Sequence, residues 1–343
     1  LTTNNRNSIL FILLGISLVL LFFINISTGS IAIPLKEIVN SLTGNPVSKT
    51  SWDYIISSYR LPKAITAILA GMGLSASGLL MQTLFRNPLA GPDVLGVSSG
   101  ASLGVALVIL GAAFLPPFLR EIAVSPYSIV FASTLGSLAV LLAVLLVSRY
   151  LRDTMGILIV GLMFSSFTGA IVGVLTYFST AEQLQKFTFW SLGSLGNLSW
   201  TSIIILLITV LIGLLLSLGS IKALNALLLG ENYARSLGLN FKKARLIIIL
   251  ATSLLSGSIT AFAGPIAFIG LTVPHIAKLL FQTSNHAVLF WATLLLGASI
   301  MLLCDCISQL PGSDMTLPIN AITSIIGAPI VIWLLLRKRK MMN

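Results

Sequence analysis

LLLGENYARSLGL, residues 227–239, is the longest polar-bearing helical pattern in a chain that is otherwise almost wholly apolar. Glu231 and Arg235 stand four apart, the order that favours an ion pair along one helix face. Gly230 and Gly238 flank them as natural helix ends, with Leu237 and Leu239 as apolar anchors. The apolar run 202–219 precedes this stretch; Lys242, Lys243, Arg245 and a second apolar run follow it. A short amphipathic element rimmed by Lys and Arg between two membrane spans belongs on the cytoplasmic surface, where a soluble partner can grip it. An interfacial helix with no partner would carry the same pattern.

The rest of the composition sets the context. The 343 residues are 56% hydrophobic and 8% charged, and the mean hydropathy is +1.03. Apolar runs of about 18 residues or more recur, long enough to cross roughly 30 Å of hydrocarbon as helix. The chain therefore reads as an all-α polytopic membrane protein in contact with lipid. A β-barrel would alternate polar and apolar residues over about ten at a time, and no such alternation occurs. In a soluble chain the net charge of +11 would suggest nucleic acid. Here the charge follows membrane topology, and no nucleic-acid partner is expected.

Ten spans fit the hydropathy, near 8–27, 61–84, 93–113, 126–149, 155–178, 200–219, 245–264, 266–283, 287–307 and 318–336, with the third and eighth expected to be short. They form a single transmembrane domain over residues 1–343. The first run follows Arg6, as a signal peptide would, but no small-residue cleavage site follows, so it is kept as a span. An even count puts both termini on one side. Fourteen basic residues share that side (Arg6, Arg86, Arg149, Arg152, Lys222, Arg235, Lys242, Lys243, Arg245, Lys278 and residues 337–340), and six fall opposite. That imbalance makes the first side cytoplasmic. The outer side holds the long loop 28–59, with a short surface helix expected at 35–42.

AGPDVLG at 90–96 and AGPIAFIG at 263–270 each follow an apolar helix rich in Ser, Gly and Ala, and the two lie five spans apart. An odd offset inserts two units with opposite orientation, the inverted repeat common among transporters. Gly-Pro pairs also mark ordinary turns.

Chemistry of the catalytic kind finds no support. The histidines are His275 and His286, the acids are scattered, and neither a metal-ligand spacing nor a Walker A motif is present. No catalytic or metal-binding residue and no cofactor is assigned to this chain; if ATP drives it, ATP and Mg sit on another subunit. Cys304 and Cys306, two apart in an apolar run, point to different helix faces and suit neither a disulfide nor a metal pair. The segment 86–92, RNPLAGP, breaks the second span, since Pro88 and Pro92 remove backbone donors and Gly91 permits a bend. It reads as a plain turn or as cavity-lining backbone. Asp305 lies inside the ninth span at a cost of about 2.5–3.5 kcal/mol unless it is partnered. A structural role with Ser308 and Gln309 is favoured over a functional one. Small residues at 71–78 and 253–264 allow close helix packing. The stretch 187–200, FTFWSLGSLGNLSW, reads as an aromatic belt or as the mouth of a pathway.

The stretches 60–82, 87–104, 229–239, 264–280 and 317–336 run in the order found in the FecCD-type permeases of importers for ferric siderophores, haem and vitamin B12, and the chain resembles that family almost throughout. The resemblance implies a type II ATP-binding-cassette (ABC) importer permease with ten spans per chain and an inverted repeat. It implies a dimer, most simply a homodimer, in the cytoplasmic membrane. Two cytoplasmic ABC ATPase subunits and an extracytoplasmic substrate-binding protein are the implied partners. Coupling helices fall on 222–240, with Glu231, Ala234, Arg235 and Gly238 implied as the contact with the ATPase. The pathway would be lined by 156–178, by a short helix at 187–196 and by 317–336. Asn87, Leu89, Thr154 and Met155 would form the inner constriction. Arg60 and Lys63 match docking cations of the family, and Gln309 replaces a third. The rival reading is an ion-coupled secondary carrier, with Asp305 and His275 as its candidate relay.

Overall fold

A computed structural model describes residues 3–114, 116, 125–148, 150, 154–196, 198–236, 238–309 and 316–340. Fifteen α-helices follow in chain order among them: α1 Thr3–Ser27, α2 Leu35–Thr43, α3 Thr50–Ile55, α4 Leu61–Leu84, α5 Val97–Ile109, α6 Pro126–Ser148, α7 Thr154–Tyr177, α8 Ala181–Ser191, α9 Trp200–Gly219, α10 Ile221–Leu228, α11 Glu231–Ser236, α12 Phe241–Ala263, α13 Ile269–Phe281, α14 His286–Ser308 and α15 Ile319–Lys340. The described residues contain no strand, only an isolated bridge between Gln309 and Thr316. Among the described residues, seven helical stretches are long and apolar enough to cross a membrane; Val97–Ile109, Ile269–Phe281 and Ile319–Trp333 are shorter apolar helices.

Local chemistry explains the breaks. Pro62 has no N–H to give the carbonyl of Ser58, and a π-helical turn over Ile56–Arg60 opens the backbone ladder just before it. Helix therefore runs on from Thr50 to Leu84, starting ahead of residue 61. After α4 the chain passes through Pro92–Leu95 as a 3₁₀ turn, and Gly96, at φ +74°, starts the 13-residue α5. After α12 it passes Gly264, at φ +76°, and starts the 13-residue α13. The two short repeats of sequence thus produce the same local event, a long helix, a Gly-Pro break and a short apolar helix.

The helices form two compact units. In the first (Leu1–Ser75, Ser194–Ile208, Ile266–Asn343), α13 packs on α14 and α15, and α1 packs on α14. Gly71 comes close against Gly297 there, and Ser75 Oγ also donates to the carbonyl of Thr293 at 3.1 Å. In the second (Ala76–Gly193, Thr209–Pro265), α5 packs on α6 and α7, repeating the scheme of a short helix against the next two. Here Gly100 meets Gly136, and Gly104 meets Ala132. Gly96, Gly100 and Gly104 recur every four residues, the spacing that lets two membrane helices touch backbone to backbone.

The outer loop folds on itself. α2 ends on Gly44 in the left-handed conformation, and Glu37 accepts hydrogen bonds from the Ser48 hydroxyl (2.6 Å) and backbone N–H (2.9 Å). The Ser48 hydroxyl above all, then its amide, holds the Glu37 carboxyl below the usual carboxylate range.

Two expectations follow. A Cβ at Gly100 would lie 2.4 Å from the carbonyl oxygen of Gly136, which no rotamer relieves. Gly100→Val should cost about 1–3 kcal/mol or more in thermal unfolding, whereas Gly15→Ala, with nothing within 4 Å, should leave the midpoint unchanged. Because the Glu37 pKa is depressed, its contact stabilises the loop fully above the unfolded value of about 4.3, and that contribution is lost as pH falls through the lower folded value. Hydrogen exchange at Ser48 should show protection that fades on acidification, and Glu37→Gln should remove the pH dependence.

Candidate functional site

The segment between α9 and α12 holds two short helices. α10 buries Ala223, Leu224 and Leu227. Gly230, at φ +116°, then turns the chain into the six-residue α11. Gly230 and Gly238 (φ +82°) do mark helix ends, as their flanking positions suggested. The left-handed half of φ space, open to Gly230, lets the chain turn before Glu231. Ala234 is fully buried; its N–H donates to Gly230 O (2.8 Å) and its carbonyl accepts from Leu239 N (3.0 Å). Asn240 caps α12 by accepting from Lys243 N at 3.0 Å. Tyr233 and Leu229 remain exposed. The side chains of Glu231 and Arg235, and the ion pair expected of them, lie outside the described residues.

The end of α4 meets this segment. Leu224 and Leu227 share a core cluster with Leu80, Leu84, Phe85 and Leu95. Beyond Phe85, the chain turns through Arg86 into Asn87, whose side-chain oxygen accepts from Leu89 N at 2.9 Å. Ala90 N closes the turn on Asn87 O at 3.0 Å. Leu89 stands exposed at the tip while Ala90 is buried. Ile157 of α7 joins the same cluster, so the start of that helix sits against the same core. The side chains of Thr154 and Met155 lie outside the described residues.

Arg60 and Lys63, the two expected docking cations, are both engaged within the chain. Arg60 is buried, and its guanidinium donates to the carbonyls of Ile26 (2.7 Å), Ser27 (3.0 Å) and Ile31. Lys63 Nζ pairs with Asp305 Oδ1 at 3.0 Å. The other oxygen of Asp305 accepts from Asn25 Nδ2 (2.8 Å) and Gln309 Nε2 (2.9 Å). The intramembrane acid is thus fully partnered, and Gln309 serves it as a donor. Cys304 and Cys306 are free thiols.

The short helix expected at 187–196 forms instead at Ala181–Ser191. Thr180 and Gln183 make a reciprocal capping box that starts it six residues earlier, and Gly193, at φ +74°, ends the turn that follows. The T-x-x-Q pattern was the available signal. Phe187 and Trp190 of this helix stack at 6.1 Å and pack on Val105, Ile109 and Leu110 of the α5 region.

Membrane-length helices, two Gly-Pro breaks and a paired short-helix segment packed on one of them define a polytopic helical transport permease. The model of the FecCD transport family matches residues 17–337, and the chain belongs to that family. It is 34% identical over 333 residues to the hemin transport system permease HmuU of Yersinia pestis, covering 96% of each chain. It is 36% identical over 281 residues to the vitamin B12 import permease BtuC of Klebsiella pneumoniae, covering 82% of each. Among solved structures, it matches an inward-facing metal-chelate type ABC transporter with a TM-score of 0.82 and 29% identity, covering 95% of this chain and 98% of the other. The chain is the permease subunit of an ABC importer, a multi-pass membrane protein.

Lys63→Met should strand the carboxylate of Asp305, only 1% exposed, and cost on the order of 3–5 kcal/mol in detergent thermal unfolding. The double variant Lys63→Met with Asp305→Leu should recover most of that loss, which a double-mutant cycle will measure.

Proposed function

We propose that two copies of this chain form a homodimeric permease that moves a metal chelate, a ferric siderophore or haem before vitamin B12, into the cytoplasm by alternating access. An outer substrate-binding protein supplies the chelate. Two cytoplasmic ATPase subunits, which carry ATP and Mg, grip α10 and α11 through Glu231, Arg235 and Gly238, while the buried Ala234 seats α11 on the chain beneath it. Both termini then lie in the cytoplasm. The observation that carries this reading is the packing of α10 on the end of α4, beside the turn that holds Asn87 and Leu89. A push on α10 moves that turn, which serves with Thr154 and Met155 as the inner constriction. Reversing a 1:99 preference between outward- and inward-open forms needs about 5.5 kcal/mol of differential binding, within reach of a partner clasping two such segments.

The face of α7 that the chain leaves open supports the second copy. Met163, Ser166, Phe167, Ala170 and Val174 are exposed there at helical spacing. The few polar groups among them suit a pathway that holds its cargo weakly, so affinity belongs to the binding protein. The internal engagement of Arg60 and Lys63 shifts docking toward other outer cations, of which Lys49 is exposed. An ion-coupled carrier would need a free relay acid, and Asp305 is held by Lys63, Asn25 and Gln309.

Proteoliposomes containing the permease, its ATPase and its binding protein should accumulate ferric siderophore or haem only with ATP. Gly238→Trp, at a position whose φ of +82° resists any side chain, should abolish that uptake while the binding protein still captures the chelate. Uptake by the permease alone, or undiminished uptake by the variant, would refute the reading.

A further inference from the structure

Arg86 takes no part in the constriction or in the segment gripped by the ATPase, yet it is the residue that joins them. It is one of three non-glycine residues at positive φ among those described (+49°), immediately after the last turn of α4. Its Nη2 donates to the carbonyl of Leu227 at 2.8 Å. That carbonyl belongs to the last turn of α10, where the helix dipole is negative, and it also accepts from Gly230 N at 3.2 Å. The guanidinium lies beside Gly230, where a Cβ would sit 3.4 Å from the same nitrogen. Asn87, the next residue, holds the turn through Leu89 N. A single side chain therefore runs from the C-terminal end of α10 to the first residue of the turn.

Two kinds of contact link the same elements. Leu224 and Leu227 share one apolar core with Leu84 and Phe85, and apolar burial is non-directional. The guanidinium bond is directional and charge-assisted, and it fixes how far α10 can move before the turn follows. Left-handed backbone at an arginine is a local cost of the sort that persists where the surroundings demand it.

We propose that Arg86 is a positioning residue of the transport cycle, a strut that converts displacement of α10 into displacement of the Asn87–Leu89 turn. The proposal rests on the ABC-import reading above. It assigns to Arg86 the efficiency of coupling, not cargo binding and not the folding of the core, which the leucine contacts maintain.

The test compares the wild type, Arg86→Gln and Arg86→Lys in proteoliposomes with the ATPase and the binding protein, reading chelate imported per ATP hydrolysed. Arg86→Gln should lower this ratio by about fivefold or more, and Arg86→Lys, which keeps one charged donor, should recover part of it. Spin labels at Leu89 on the two copies should report an ATP-dependent distance change in the wild type and a smaller one in Arg86→Gln. Thermal unfolding in detergent separates the roles. A ratio in Arg86→Gln within twofold of the wild type overturns the proposal. So does a parallel fall of uptake, hydrolysis and melting temperature with the ratio intact, which marks a merely structural arginine. Failure of the wild type itself to import with ATP defeats the import reading instead, and is seen before any variant is compared.

Discussion

A carboxylate with 1% exposure inside an apolar helix is the most demanding group in this molecule, and the protein meets the demand completely. Hydrocarbon offers no hydrogen bonds, so Asp305 must find a cation and donors from the chain itself. Lys63 supplies the charge, Asn25 and Gln309 donate to one oxygen, and the Ser308 hydroxyl lies 3.3 Å from the other. These residues come from α1, α4 and the end of α14, so the pair fixes the register of three helices that apolar contacts alone would let slide. Its worth lies in that register more than in net stability, because desolvation consumes much of what the Coulomb attraction returns.

The same shortage of outside partners shapes the rest of the fold. Arg60 turns inward to three carbonyls at the end of α1 and in the loop beyond it. Arg6 does so at the far end of α13, donating to Phe281 O and Gln282 Oε1. Each guanidinium occupies backbone acceptors that a helix end or a loop leaves open. Glycine lets backbones approach closely at Gly71 with Gly297 and at Gly100 with Gly136, and a serine hydroxyl bonds across beside each, Ser75 to Thr293 O and Ser137 to Val97 O.

Transport asks such a scaffold for a part that moves without unravelling. The Gly-Pro break after α4 and the positive-φ glycines Gly230 and Gly238 interrupt the helices, and Leu84, Phe85, Leu224 and Leu227 between them belong to one buried core. One family fold serves relatives named for hemin and for vitamin B12.

Sequence alone determined the helical class, the two short helices after Gly-Pro breaks and the glycine ends of the segment at 227–239. All of these are written in local hydropathy and in backbone permissions of single residues. It also carried signals that were there to be read, the T-x-x-Q box at Thr180 and the glycines at 96, 100 and 104. What only tertiary structure decided was the fate of the charges. Lys63 at a helix start looks like any solvated lysine, and Arg86 like any basic residue at a membrane border. Packing brings the first over Asp305 and the second onto Leu227, across separations in sequence that no local pattern records. A side chain's partner is set by which helices meet, and helices meet through surfaces summed over the whole chain.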